Sequence, residues 1–453
     1  MTFAINIRLL FNRFQCYPGA LGAVSPVRKA CMRSPPNRRV ASHRLILREL
    51  LEAGRMSRAE LHRRIGLRPN TVGEVVDAMT GAGWVREAGN FSGTRDLPTQ
   101  SRGRPAIMVE IDESCRDVVG LALGPGRVEA VRLSLRGKIA GEVSTKEVRR
   151  PADLAKAAAR LLDSVMSERS LAIGVSSTGL LDEGDMKLLF SSSAPRSPGL
   201  SLGPVLSAGG DLPIALENNI HALGDRWRLR HPEAASETVL LIELGDGAVG
   251  ASFMPAGPAD AGCVRGGNEL GHAQVSAPDQ DVPGCYCGQS RCLERVFSTA
   301  MAGRLDGSKR RLASRLTAWG MRSTVLPPVK GPDSCAATDW IVNQLAEAVG
   351  NAVNLLRPHR VVWTGAGTLA TVLRTIEPKL SVITSNRLLP VLRERVRFGG
   401  WHVEGETDDL APAVTAGYLA LAMLTDQRLP AVGDVTLRAI RGGATLIPSE
   451  ADS

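Results

Sequence analysis

The chain has 453 residues, 43% hydrophobic and 22% charged, which gives room for two or three domains and a large core. A formal charge of +9 points to a polyanionic partner, and no repeat or low-complexity tract argues for a fibrous or disordered chain. No apolar run reaches the length of a membrane span, and Arg8 and Arg13 break the N-terminal runs that a signal peptide needs; a cytoplasmic protein with reduced thiols is expected.

Residues 1–40 hold Arg8, Arg13, Arg28, Lys29, Arg33, Arg38 and Arg39 without one Asp or Glu. They read as a disordered basic extension: a solvated tail or a start assigned ahead of Met32, rather than an arm on DNA phosphates.

The next stretch, 43–110, has the spacing of a winged helix-turn-helix. A first helix over about His43 to Ala53 puts Leu45, Ile46, Leu50 and Leu51 on its apolar side, and Gly54 ends it. Ser57-Arg58-Ala59-Glu60 is a capping box opening a second helix, with Leu61 and Ile65 inward and Gly66 at the turn. Pro69 suits the first turn of a third helix that carries Val72, Val75, Val76 and Met79 inward and ends near Gly81 or Gly83. Such a helix enters the major groove N-terminus first, so Arg68, Asn70, Thr71 and Glu74 are the expected DNA-facing residues. Gly73 costs about 1 kcal/mol relative to Ala inside a helix, which close approach to the DNA backbone would explain. Strands near Trp84–Glu87 and Arg104–Val109 flank a polar loop with Arg95, Arg102 and Arg104, a wing whose arginines suit the minor groove or phosphates. A helical protein-interaction domain is the other reading; the basic start of the third helix and the wing favour DNA.

From Asp117 strands and helices alternate. An apolar strand, VVGLALGPG, is followed by strands about a turn at Arg136-Gly137, a helix at 151–168 and a buried strand at Leu171–Ser176. A loop over 177–206 leads to Ile214–His221, and Thr238–Phe253 reads as a strand pair.

GGNELGHAQVSAPDQDVPGCYCGQSRCLE, Gly266 to Glu294, has the residue types of a zinc site. Tetrahedral zinc prefers thiolate and imidazole, and His272, Cys285, Cys287 and Cys292 supply four ligands. Gly288 lets the chain turn back to deliver Cys292. Unrelated thiols rarely crowd this closely, and disulfides need an oxidising compartment. Beyond lie a helix over Val296–Leu305, helix then loop over 306–336, a helix at Asp339–Leu356, a strand and glycine turn from His359, a closing helix at 409–424 and a tail at 426–453.

GNELGH followed by CYCGQSRCLE resembles the GExGH and CxCGxxGCxE motifs of the ROK family of sugar kinases and transcriptional repressors, with Asn268 and Arg291 where the family has glycine. The resemblance spans roughly residues 43–425, SRGRPA included, which is similar to the wing end of ROK repressors. It implies an actin-like (ribonuclease H-like) two-lobed α/β sugar-kinase fold behind a winged helix-turn-helix. The domains follow as 1–40 extension, 41–112 DNA-binding, 113–426 effector-binding and oligomerisation, and 427–453 tail. In the family the carboxylates matching Glu269 and Glu294 contact sugar hydroxyls, and the histidine matching His272 ligates structural zinc and faces the sugar. Asn218 and Asn219 would hydrogen-bond the same ligand.

Three departures touch phosphoryl transfer. Ala122 replaces the aspartate of the GxDxGGT phosphate turn, and Pro125, next to Gly126, removes a backbone donor there. Asn219 stands at the general-base aspartate; an amide cannot take the proton, and losing such a base removes roughly 10²–10⁴-fold of rate. Asp246 replaces a threonine in a second phosphate loop and would repel a triphosphate. Arg196 and Ser197, near a sugar-contacting asparagine of the family, put hexose specificity in question. The expectation is a non-enzymatic, sugar-responsive regulator, a repressor, acting as a homodimer or homotetramer on double-stranded operator DNA, with no membrane partner. An ATP-dependent sugar kinase with an attached DNA-binding domain is the alternative; a zinc-stabilised interaction protein is a third reading.

Overall fold

The structure is a computed structural model that describes residues 38–90, 106–124, 126–182, 187–190, 200–245, 248–256, 269–276, 284–285, 287–302, 334–365, 368–401 and 411–425. The N-terminal extension up to residue 37, the wing tip with Arg95, Arg102 and Arg104, Pro125, Arg196, Ser197, Asp246, most of 306–336 and the tail from 426 lie outside the described residues.

The chain opens with α1 (Arg38–Ala53), the short strand β1 (Arg55–Ser57), α2 (Arg58–Ile65) and α3 (Pro69–Gly81). Local chemistry sets the boundaries. The Ser57 hydroxyl accepts from the Glu60 amide while the Glu60 carboxylate accepts from the Ser57 amide, satisfying two donors that a helix start leaves open. Gly66 closes α2 at φ +76, a conformation natural to glycine. His62 Nδ1 donates to the Leu67 carbonyl and fixes the turn into α3. Val72, Val75, Val76 and Met79 are buried as the spacing predicted. On α1 the fully enclosed residues are Ile46, Leu47 and Leu50; Leu45 is only partly covered, because Leu47 takes the inward position. Strands β2 (Val85–Asn90) and β3 (Ile107–Ile111) form the wing stem, and β1 adds to β3, giving the order β1-β3-β2.

The first lobe is built on a five-stranded sheet. Strands β4 (Asp117–Gly124), β5 (Arg127–Ser134), β6 (Ser144–Glu147), β7 (Ser170–Ser177) and β11 (Ile214–Asn218) stand in the order β11-β7-β4-β5-β6. Side-chain alternation divides its faces. Val119, Leu121, Leu123, Ile173 and Val175 pack under α4 (Leu154–Val165). Val118 and Ala122 face the closing helix, Pro412–Thr425, which after α6 (Asn219–Arg230), α7 (Leu293–Ala302), α8 (Ser334–Leu356), α9 (Thr368–Asn386) and α10 (Pro390–Arg393) becomes α11. Every residue of α11 from Ala413 to Thr425 is buried, consistent with its position between sheet and neighbouring helices. Helix and sheet meet at backbone distance: a Cβ on Gly120 would lie 2.0 Å from the Ala413 oxygen, and one on Gly174 1.9 Å from the Ala416 oxygen.

The second lobe carries β12 (Val239–Gly245), β13 (Ala248–Met254), β14 (Arg360–Gly365) and β15 (Arg397–Trp401), in the order β13-β12-β14-β15. Leu240, Ile242 and Leu244 join the core with α7, α8 and α9, while Val239 and Leu241 meet Leu223 and Trp227 of α6. The two-lobed fold is the one expected. Two details differ. The segment expected as loop 177–206 contains a small sheet, β8 (Leu180–Asp182), β9 (Lys187–Phe190) and β10 (Leu200–Ser201), and a short α5 (Gly203–Gly209). The glycine turn after β14 leads into the 19-residue α9, which contains Pro378 and was not foreseen. Among the described residues, no helix is long and apolar enough to cross a membrane.

Candidate metal centre and cleft

Two backbone segments are stitched together to make the metal site. His272 ends a single helical turn, Leu270–His272, and the residues after it bond to the cysteine loop: Leu293 N to Ala273 O at 2.9 Å and Val275 N to Arg291 O at 3.1 Å, with Gln274 bridged to Cys292. The loop itself is a tight knuckle, with Gly288 N on Cys285 O at 3.0 Å and Cys285 N on Gln289 O at 2.9 Å. Gly288 at φ +89 and Arg291 at φ +57 supply its two left-handed turns. Arg291 is where the motif expects glycine, and the backbone adopts the glycine conformation regardless.

The four side chains converge. One ligand atom each from His272, Cys285, Cys287 and Cys292 lies within 4.8 Å of the others. The Cys287 and Cys292 sulfurs are 3.6 Å apart, and the Cys285 sulfur is 3.5 Å from His272 Nδ1. A tetrahedron with zinc–sulfur bonds of ~2.3 Å and zinc–nitrogen bonds of ~2.05 Å has edges of about 3.8 and 3.6 Å. The residues therefore fit a tetrahedral thiophilic ion such as zinc. Burial pushes the Cys285 thiol up to about 11, with Cys287 beside it, and moves Cys292 upward for the same first reason. A divalent cation would remove that penalty by holding the sulfurs as thiolates.

His272 turns its other nitrogen, Nε2, to Glu269, whose Oε2 is 3.6 Å away. Glu294, in the first turn of α7, reaches the same turn: a Cβ on Gly271 would lie 3.1 Å from its Oε2. The sequence-expected trio Glu269, His272 and Glu294 is thus brought together, with the first half-exposed. The same would-be Cβ of Gly271 would lie 2.4 Å from the Val249 oxygen, and one on Gly250 would lie 2.5 Å from Ile220. The metal-side turn and the first turn of α6 therefore rest on consecutive residues of β13.

Asn218 and Asn219 occupy that first turn. Asn218 is the N-cap of α6: its Oδ1 accepts from Ile220 N at 2.8 Å and its Nδ2 donates to Gly179 O at 2.7 Å. Its amide is committed to backbone, tying the small sheet to the helix, which leaves it less for a ligand than the sequence suggested. Asn219 is the first helical residue and half-buried. Ala122 is buried in the core against α11.

On the N-terminal three-helix domain, Arg68, Asn70 and Glu74 are exposed and Thr71 is half-buried, at the N-terminal end of α3. Arg58, paired with Asp77 at 2.7 Å, lies beside Gly73, with Nη1 3.9 Å from a would-be Cβ.

Comparison with known proteins agrees with this architecture. The ROK family profile matches residues 118–387, and a winged helix-turn-helix DNA-binding profile matches residues 41–86. A xylose repressor of Caldicellulosiruptor bescii is 21% identical over 338 residues, 70% of this chain and 81% of that protein. An N-acetyl-D-glucosamine kinase of Erwinia tasmaniensis is 30% identical over 257 residues, 51% of this chain and 76% of the kinase. Among solved structures, a ROK family transcriptional regulator homologous to the E. coli Mlc protein aligns with a TM-score of 0.60 at 19% identity, covering 85% of this chain and 98% of that one. The family match runs from the first strand of lobe one through α9, and the helix-turn-helix match ends shortly before it: the chain belongs to the ROK family and carries a winged helix-turn-helix ahead of the family domain.

Proposed function

We propose that this protein is a sugar-responsive transcriptional repressor whose ROK domain senses the effector and no longer performs phosphoryl transfer. What supports the reading is a winged helix-turn-helix match at residues 41–86 ahead of a ROK match at 118–387, in a chain that has Asn219 where the resemblance to the ROK motif implies the general-base aspartate. Residues 41–112 read operator DNA, with Arg68, Asn70, Thr71 and Glu74 at base edges and Arg102 and Arg104 from the wing on the backbone or minor groove. Residues 113–426 bind the effector and assemble the protein into a homodimer or homotetramer, as a palindromic operator requires; 1–40 and 427–453 are extensions. Similarity to a xylose repressor supports this assignment.

The effector, a sugar or sugar derivative, lies between lobes, hydrogen-bonded by Asn219, Glu269, His272 and Glu294, with Asn218 chiefly holding the helix that presents Asn219. Zinc, when bound on His272 Nδ1 and the three thiolates, fixes the imidazole so that Nε2 faces the ligand. Asn219 cannot act as a base, and buried Ala122 offers a nucleotide no polar group.

The test is binding to the DNA upstream of the protein's own gene at roughly 50 and 200 mM salt, with and without a panel of sugars. Affinity should fall steeply with salt and shift with one sugar. No DNA complex would overturn the reading, and sugar-dependent ATP turnover abolished by Asn219→Ala would establish the kinase instead.

A further inference from the structure

Helix α6 starts in the cleft and ends far from it. At its start, Ile220 and Gly224 press on β13: Cβ atoms on Gly250 and Gly224 would lie 2.5 Å from Ile220 and 2.6 Å from Ser252 Oγ. His221 Nδ1 reaches the same Ser252 at 3.1 Å. Trp227, further along, packs with Val239 and Leu241, so α6 is keyed to the second lobe over most of its length. At about 1.5 Å per residue its far end lies roughly 16 Å away. There two arginines converge on one phenol of α11. Arg226 places its guanidinium 5.2 Å from the Tyr418 ring centroid and bonds Thr415 Oγ1 at 3.3 Å; Arg230 Nη1 donates to the Tyr418 hydroxyl at 3.1 Å. Tyr418 is 4% exposed, and its hydroxyl lies over Gly137, where a Cβ would be 2.4 Å away. Gly137 forms the turn after β5 at φ +77. Its neighbour Arg136 crosses to the winged helix, where Nη2 donates to the Gly54 carbonyl at the end of α1 at 2.6 Å while Nε stands 3.3 Å from Glu113. Arg116 adds a second strut, Nε to the Ala82 carbonyl at the end of α3 at 2.9 Å.

We infer that Tyr418 and Arg136 are positioning residues that carry lobe movement at the effector cleft, through the C-terminal end of α6, to the orientation of the DNA-reading domain. The inference rests on the effector-responsive reading above. Its mechanical basis is an unbroken set of contacts. Helix α11 is seated on β4 and β7 at backbone distance through Gly120 and Gly174, so it has no room to slide. Helix α6 packs closely on α11 in turn, with Ala222 in the same buried cluster as Ala413 and Val414, so rotation of the second lobe, with α6 keyed to it, bears on the seat of Tyr418. Tyr418 is the residue there that also touches the turn bearing Arg136. Both ends of this route change state together only if the contacts between them persist, which makes the coupling measurable by substitution.

The experiment uses the full-length protein, its own upstream DNA, and D-xylose and N-acetyl-D-glucosamine as probes. Tyr418→Phe removes the hydroxyl that Arg230 bonds and keeps the ring; Arg136→Ala removes the strut to Gly54 and leaves Glu113 paired with Lys138 at 3.1 Å. Both variants should keep sugar affinity and sugar-free operator affinity within about threefold, while the sugar-induced change in operator affinity shrinks about tenfold or more. The double variant should be no worse than the poorer single one, because both cut one route. Lys138→Ala, an exposed neighbour that also pairs with Glu113, should respond as wild type does. A full sugar response in Tyr418→Phe and Arg136→Ala, or its loss in Lys138→Ala as well, overturns the route while the sensor reading stands. Wild-type protein whose operator affinity no sugar of the wider panel changes overturns the sensor reading and the coupling with it.

Discussion

Gly137 has room for a hydrogen and nothing larger. Its φ of +77 disfavours any side chain, and the Tyr418 hydroxyl fills the space where a Cβ would go. Gly137→Ala should therefore cost roughly 2–3 kcal/mol in urea denaturation, strain and overpacking combined. Glu243 on β12 is a second special position. Desolvation pushes its carboxyl up from 4.5 to about 7. Below pH 4.5 folded and unfolded chains both hold the proton and the group has no effect. Between 4.5 and 7 the unfolded chain releases a proton that the folded one keeps, so stability falls with rising pH by up to about 1.4 kcal/mol per unit and levels off above 7. Glu243→Gln should remove that slope: denaturation midpoints at pH 8 should rise above wild type, and those at pH 4.5 should match it. Neither position announces itself in the sequence. Gly137 looks like any turn glycine until Tyr418, far along the chain, is placed on it, and Glu243 is one acid in an apolar strand.

At the scale of elements, legibility followed punctuation. The capping box at Ser57, Gly66 and Pro69 delimit α2 and α3 with local signals, and both helices stand where those signals put them. Strand β1 has three residues and exists because β3 pairs with it, which no local signal encodes. Helix α9 hides behind Pro378, and β8 to β10 are too short for alternation to register. The clustering of His272 with Cys285, Cys287 and Cys292 was legible because three of the four are close in sequence and share one chemistry. The contrary position of Asn218, spent on capping α6, depends on Gly179, a partner supplied by the fold. Helix α3 offers a test that separates stability from recognition. A Cβ at Gly73 meets only Arg58 Nη1 at 3.9 Å, so Gly73→Ala should stabilise the protein by about 0.5–1 kcal/mol as helix propensity dictates. If glycine serves close approach to DNA, the same variant should bind the operator more weakly. A higher melting temperature with unchanged operator affinity would remove that explanation of Gly73.

For the whole molecule, the zinc knuckle and the winged helix should fail independently. On the proposal that zinc orients His272, Cys287→Ser or exhaustive chelation should lower thermal stability and weaken sugar binding. Operator binding without sugar should survive, since α1 to α3 and their core contain no metal ligand. A metal-free variant with undiminished sugar response would refute the orienting role. The two lobes and the winged helix-turn-helix ahead of them were legible because each carries its own motif; the struts between helix-turn-helix and first lobe, Arg136 and Arg116, were not, because each bonds a backbone carbonyl that any residue could supply.

The closing helix has a consequence for the order of events on the ribosome. Residues 41–90 emerge long before α11, yet the apolar cluster they join also includes Ala413, Val414 and Tyr418 to Leu424. At about 5–20 residues per second, tens of seconds separate the appearance of α1 to α3 from that of the helix that completes their seat. A nascent or truncated chain ending before residue 412 would thus display the helix-turn-helix with its base unfinished. Such a fragment would be a ready target for chaperones and proteases until α11 is in place.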